Sequence, residues 1–333
     1  MRSALAGLCG LAAAVLLPLA LVSVWLHTVV TDAEDYLARV DPLAAEQRVQ
    51  EAVEDVLVEG VLQRVDVTAL GDRLQASVDA PDLDLPFDVP ELPGDLDERL
   101  AELRDQVGPL LERAGGDATA AAQELVRRVV RAVVGSDAFS ALWRAAQQEG
   151  HSEAVSVLSS PDPLQAGQRV VVPLDPFVDA VREQVAGLGV QLEGTLDGLS
   201  LALPLASSDD LEVVRVAYRV LERLWLVLPV MAGGLAVLAV VLARRRLRAL
   251  GVLGALAALA CLALLALTGL GRELLLDASP SDSARVITGR MVEAVSGDLR
   301  DAAVTGVLIG AAVVLAAFVL ALVVRGVTRT AAD

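Results

Sequence analysis

Two histidines, His27 and His151, are the only imidazoles in this 333-residue chain, and 44 aspartates and glutamates supply its carboxylates. Imidazoles held close together could bind zinc or shuttle a proton. These two lie far apart in sequence, which argues against a His-rich zinc site, and His151 beside an expected helix end reads as a surface or capping residue. Carboxylates are densest in 79–97, DAPDLDLPFDVPELPGDLD, with seven acidic residues and no basic one. Calcium takes roughly six to eight oxygens. The segment lacks EF-hand spacing and its glycine, so it reads first as a solvated, self-repelling strap, with an ion site as the alternative. Phe139 and Trp143 stand four apart on one helix face, a spacing that suits core packing better than a ligand pocket. No Gly-x-Ser-x-Gly, phosphate-binding glycine loop or His-Glu-x-x-His occurs. The residues therefore point to no catalytic group, no cofactor and no metal.

The elements that must carry these residues are dominated by four uncharged apolar runs: Ala4–Leu26, Leu224–Ala243, Ala249–Leu270 and Ala302–Val324. Each is long enough to cross a hydrocarbon layer about 30 Å thick as a helix. The second and third flank a tip, RRRLR, containing Arg244, Arg245, Arg246 and Arg248. Residues 27–223 hold 37 acidic and 16 basic residues, a net of −21, and residues 271–301 a net of −2. Most uncompensated positive charge sits in short segments beside the apolar runs. By the positive-inside rule both termini and the arginine tip face the cytoplasm, and 27–223 and 271–301 lie outside. Trp25 and Trp225 sit at run boundaries, where tryptophan anchors a helix at the interface. A region this acidic suits neither nucleic acid nor anionic lipid.

The first run exceeds a signal peptide's apolar region of about 7–15 residues, and no small-x-small site follows, so it reads as an uncleaved helix. All 27 basic residues are arginine, and lysine and asparagine are absent. Both missing residues have AT-rich codons, which points to a high-GC bacterial genome. Cys9 and Cys261, the only cysteines, lie inside apolar runs, so the external region uses no disulfide.

Along the external region, Thr31-Asp32-Ala33-Glu34 fits a capping box and Asp41-Pro42 a helix start. Val49, Ala52, Val53, Val56, Leu57 and Gly60 follow at helical spacing, and a short helix is expected near Val67–Val78. Leu83, Leu85, Phe87 and Val89 alternate with polar residues as in an edge strand. Helices follow at about Leu96–Leu111 and over Leu125–Val134, with Gly135 ending the latter and Ser136 capping the next, which Gly150 closes. Arg169–Val172 and Gly198–Leu203 read as strands, and Asp175-Pro176 opens a helix. From Ser207, the stripe Leu211, Val214, Tyr218, Leu221 and Trp225 predicts one continuous stalk helix into the second span. Loop 271–301 carries a helical Val286–Val295 core. Gly306 and Gly310 suit close helix contact, within the subunit or with a second copy.

The expected fold is a membrane α-helical protein with four transmembrane helices and a mainly α, minor β, extracytoplasmic domain. Its parts are 1–30, the first transmembrane helix; 31–210, the extracytoplasmic domain; 211–270, the stalk and the second and third transmembrane helices with their arginine tip. Residues 271–301 form a small external loop, and 302–333 the fourth transmembrane helix and tail.

The stretches Asp137-Ala-Phe139-Ser-Ala-Leu142-Trp143 with His151, Leu174-Asp175-Pro176-Phe177-Val178-Asp179-Ala180-Val181, and Tyr218 to Arg246 resemble a group of uncharacterised actinobacterial integral membrane proteins. The resemblance implies one helix, a large extracytoplasmic helical domain and three further helices. Gln147 and Gln148 stand where that group often has polar residues including asparagine, and no catalytic role carries over.

No Asp, Glu, Lys, Arg or His interrupts the four runs, which argues against an ion-coupled carrier and against intramembrane proteolysis. The leading expectation is a non-enzymatic plasma-membrane protein, multi-pass and embedded in the lipid bilayer. Its acidic domain would be presented for envelope interaction or sensing, with an envelope protein or a second copy as partner. The topology also resembles membrane subunits of the ABC mechanotransmission type, although the RRRLR tip leaves little cytoplasmic surface to engage an ATPase. An envelope-polymer hydrolase using external carboxylates is the third possibility.

Overall fold

Alanine and leucine, strong helix formers, fill the apolar runs, and the described chain is almost wholly helical. The computed structural model describes residues 2–64, 67–68, 71–72, 109, 113, 117–159, 172–173, 200–201 and 208–330. The acidic strap, the helices expected at Leu96–Leu111 and after Asp175-Pro176, and most of the one at Val67–Val78 lie outside those residues.

Helix α1 (Arg2–Trp25) runs directly into a π-helical turn, Leu26–Thr31. The next helix does restart here, but Asp32 caps it rather than Thr31. The π turn extends through Thr31, and the Asp32 carboxylate accepts from the Glu34 and Asp35 N–H groups at 2.9 and 3.2 Å. Helix α2 (Ala33–Val40) gives way to a 3-10 turn, Asp41–Ala45, with Pro42 at its start. Helix α3 (Gln47–Arg64) follows, then α4 (Ala118–Val134) and α5 (Ala138–Ser159). Val172–Pro173 (β1) and Ser200–Leu201 (β2) pair antiparallel, Val172 opposite Leu201. Then come α6 (Ser208–Arg223), α7 (Val227–Leu242), α8 (Arg246–Asp277) and α9 (Asp282–Thr330).

The outer core forms where α3, α4 and α5 bury their stripes together. Val49, Val53 and Leu57 of α3 meet Leu125, Val126, Val129 and Val130 of α4, with Phe139 and Trp143 of α5 closing the end. The Trp143 indole donates to the Val40 carbonyl at 3.0 Å, so its one polar atom is satisfied inside the core. Gly135 ends α4 as expected, whereas Ser136 does not cap α5 with its hydroxyl. That hydroxyl donates back to the Val133 carbonyl at 2.7 Å. Gly150 does not close α5 either. A glycine inside a helix costs about 1 kcal/mol, and contacts of Gln147 and His151 on either side hold the helix through to Ser159.

Among the described residues, three helical stretches are long and apolar enough to cross a membrane: Leu5–Thr31, Arg246–Asp277 and Asp282–Val323. Arg215–Arg223 with Val227–Leu242 makes a fourth if the pair is one span, but the two are bent by 65°. The expected continuous stalk helix is therefore broken at Leu224–Leu226. The physical reason is Pro229, in the first turn of α7. It has no N–H to give the Trp225 carbonyl, and its ring crowds that carbonyl. The helical core expected at Val286–Val295 is present, and helix extends over all of 282–301. These residues are the outer part of the 49-residue α9, and their Ile287, Met291, Ala294 and Val295 pack on the outer core.

Candidate functional site

The π turn at the end of α1 is where the outer core meets the apolar helices. One extra residue in the turn changes which side chains and carbonyls face outward, and such turns gather at functional sites. Side chains from α5, α6 and the α6–α7 break bind to it. The His27 ring stacks on Trp225, at the α6–α7 break, with centroids 4.2 Å apart and planes within 8°. The Thr31 hydroxyl meets the Tyr218 hydroxyl of α6 at 3.3 Å. The Val30 carbonyl lies 2.7 Å from His151 Nε2 of α5. Because a carbonyl only accepts, Nε2 carries the proton there.

Tyr36 of α2 completes this collar. Its ring stacks on His151 at 4.5 Å, and its hydroxyl donates to Gln147 Oε1 at 2.8 Å. Gln147 and His151 are four apart on α5, so both reach the same face. Burial pushes the Tyr36 phenol up to about 12, because the phenolate would lose its water. The collar thus brings both histidines to one turn of α1, which their separation in sequence did not indicate. Among the described residues there is no group of three or more His, Cys, Asp or Glu placed to hold a metal ion.

A belt of ion pairs surrounds the collar. Arg39 of α2 pairs with Asp298 of α9, Arg144 of α5 with Asp41, and Arg290 of α9 with Glu46 at 3.0 Å. Arg131 of α4 reaches Glu54 of α3 at 2.8 Å, and that hydrogen bond and charge raise the guanidinium's pKa. The Trp25 indole donates to the Val295 carbonyl at 2.9 Å, so its polar edge is used inside the protein.

Below the collar, α8 and α9 run antiparallel with backbone against backbone. A Cβ added at Gly310 would stand 2.6 Å from the Gly254 carbonyl oxygen, and one at Gly254 would stand 2.8 Å from that of Gly310. A Cβ at Gly306 would stand 2.5 Å from Cys261 Sγ. The Gly306–Gly310 face is thus occupied by α8 of the same chain. Gly254 escaped the sequence reading, although Gly254-Ala-Leu-Ala-Ala258 carries the same small-x-x-x-small spacing.

Arg244 and Arg245 form the α7–α8 connection, at the ends of the helices away from the collar, and Arg246 and Arg248 lie in the first turn of α8. Arg246 and Arg248 oppose the dipole of α8, whereas Arg244 and Arg245 follow the C-terminus of α7 and complement its dipole. On the other side of α8, α1 and α7 leave a cavity of about 590 Å³ running along α1 from Ala13 to Thr28. Its walls are apolar except near Trp25, Thr28 and Asp298.

The long apolar helices define a membrane protein. No family model, curated protein or solved structure matches the chain.

Proposed function

We propose that this is a multi-pass plasma-membrane protein of four spans, in which α6–α7 counts as one broken span. Both termini and the RRRLR tip face the cytoplasm, and the acidic, mainly helical domain is presented outside for envelope interaction or sensing. The observation that carries this reading is the collar. Through His151–Val30, Tyr218–Thr31 and Trp225–His27, the outer helices grip the end of α1. A partner that shifts α5 or α6 would thereby move α1, which a domain on a loose tether could not do. The arginine tip supports the orientation, being a basic cluster in a short connection between two apolar helices. The resemblance to uncharacterised actinobacterial integral membrane proteins is part of the same proposal, and an envelope protein or a second copy is the partner expected of the outer domain.

Reporter fusions at residues 150, 246 and 333 should read external, cytoplasmic and cytoplasmic. A cytoplasmic signal at 150 overturns the orientation. Crosslinking in native cells should then capture an envelope protein on the outer domain; turnover of envelope polymers by the purified chain would replace the binding role with an enzymatic one.

A further inference from the structure

We infer that the cavity between α1, α7, α8 and α9 is a phospholipid site that takes one acyl chain, with the Arg39–Asp298 pair meeting the headgroup. The inference rests on the membrane reading above and adds a ligand to it. Shape is the first argument. The lining runs from Ala13 to Thr28 on α1, roughly 22 Å at 1.5 Å per residue. Its volume of about 590 Å³ over that length is narrow beside a helix about 10–12 Å across, so no helix can be buried whole in it. A single flexible hydrocarbon chain can.

Wall chemistry is the second argument. Ala13, Ala14, Ala20, Ala232, Ala236 and Ala257 are too short to fill the space themselves. Left empty, these apolar walls forfeit dispersion contacts, and away from the Asp298 end they offer water no partners. Volumes of roughly 300–1,000 Å³ with few polar groups are those of ligand sites.

Polarity at one end is the third. The Trp25 N–H is taken by Val295, and the Thr28 hydroxyl by the Val24 carbonyl at 3.0 Å. Asp298 remains, its side chain 62% exposed and paired with Arg39. The outer end of the cavity thus carries an anion beside a cation, complementary to a headgroup with a phosphate and an amine. That selects a zwitterionic phospholipid over a purely anionic one.

Two adjacent glycines allow a clean test. Gly233 lines the cavity and Gly234 does not, and a Cβ at either meets nothing within 4 Å. Both Gly233→Phe and Gly234→Phe should therefore fold. The full-length protein, purified in mild detergent and stripped of lipid, would be titrated with phosphatidylethanolamine and phosphatidylglycerol of matched chains and read by native mass spectrometry. The expected result is saturable binding of one phosphatidylethanolamine, weakened about tenfold or more by Gly233→Phe and less than about twofold by Gly234→Phe. Asp298→Asn should narrow the preference between the two lipids. Equal, unsaturable uptake by wild type and both variants would mean only annular lipid and would overturn the site. Equal affinity for the two lipids in the wild type would overturn the headgroup assignment. A chain that failed to fractionate with membranes would sink the membrane reading itself. One that inserts but binds no lipid stoichiometrically sinks this inference alone.

Discussion

The outer core and the apolar bundle solve packing in opposite ways. Outside, α3, α4 and α5 interdigitate large side chains: Val49, Val130 and Val133 are wholly buried, and Phe139 and Trp143 nearly so. In the bundle, α8 and α9 remove side chains altogether so that Gly254 and Gly310 bring backbones together, while α1 and α7 leave a cavity beside α8 from Ala13 to Thr28. Water drives the outer solution, because burying apolar surface from it is favourable. Lipid provides no such drive, so close backbone approach must supply the attraction. The lesson is that one substitution type, adding or removing carbon, should have different signs in the two regions.

The largest effect is expected from Trp143→Ala, which empties the end of the outer core and removes the indole donor from the Val40 carbonyl. It should cost roughly 3–5 kcal/mol in chemical denaturation of the detergent-solubilised protein. A loss below about 1 kcal/mol would mean the outer region is not closely packed. Next comes a matched pair in the bundle. Gly310→Ala forces the helices apart and should cost about 1–3 kcal/mol. Gly233→Ala meets open space and should be neutral, or stabilising by up to about 1 kcal/mol through helix propensity. Equal effects of the two would erase the distinction between the tight and loose sides of α8.

Tyr36 tests the junction between the regions. Tyr36→Phe removes the Gln147 bond and should cost about 1 kcal/mol. Its phenol is raised from an ordinary value near 10 to about 12. A raised folded value means its stabilising contribution is complete below pH 10 and is lost as pH rises from 10 through about 12. Ultraviolet titration should show one of the two tyrosines ionising near pH 12 in the wild type and missing in Tyr36→Phe. The smallest effect belongs to the exposed ion-pair belt. Arg144→Ala should change stability by less than about 1 kcal/mol, and the change should shrink further in high salt.

Much of the architecture was legible without coordinates. The lengths of the apolar runs, the 3.6-residue stripe from Leu125 to Val134 and the ending of α4 at Gly135 are local properties, set by a residue and its neighbours within a turn or two. The same holds for the arginine tip, since charge next to an apolar run is a property of composition. Nonlocal geometry decided the rest. Pro229 was visible, but a proline can kink a helix, start one or be absorbed. The bend at Leu224–Leu226 is the outcome in a fold where Trp225 stacks on His27, a residue from the other end of the chain. The π turn, the meeting of His151 with Val30 and the register that sets Gly254 against Gly310 also depend on which surfaces touch. So does the cavity: each of its alanines reads as an ordinary helix former, and only the way α1, α7, α8 and α9 are set around them turns their shortness into space.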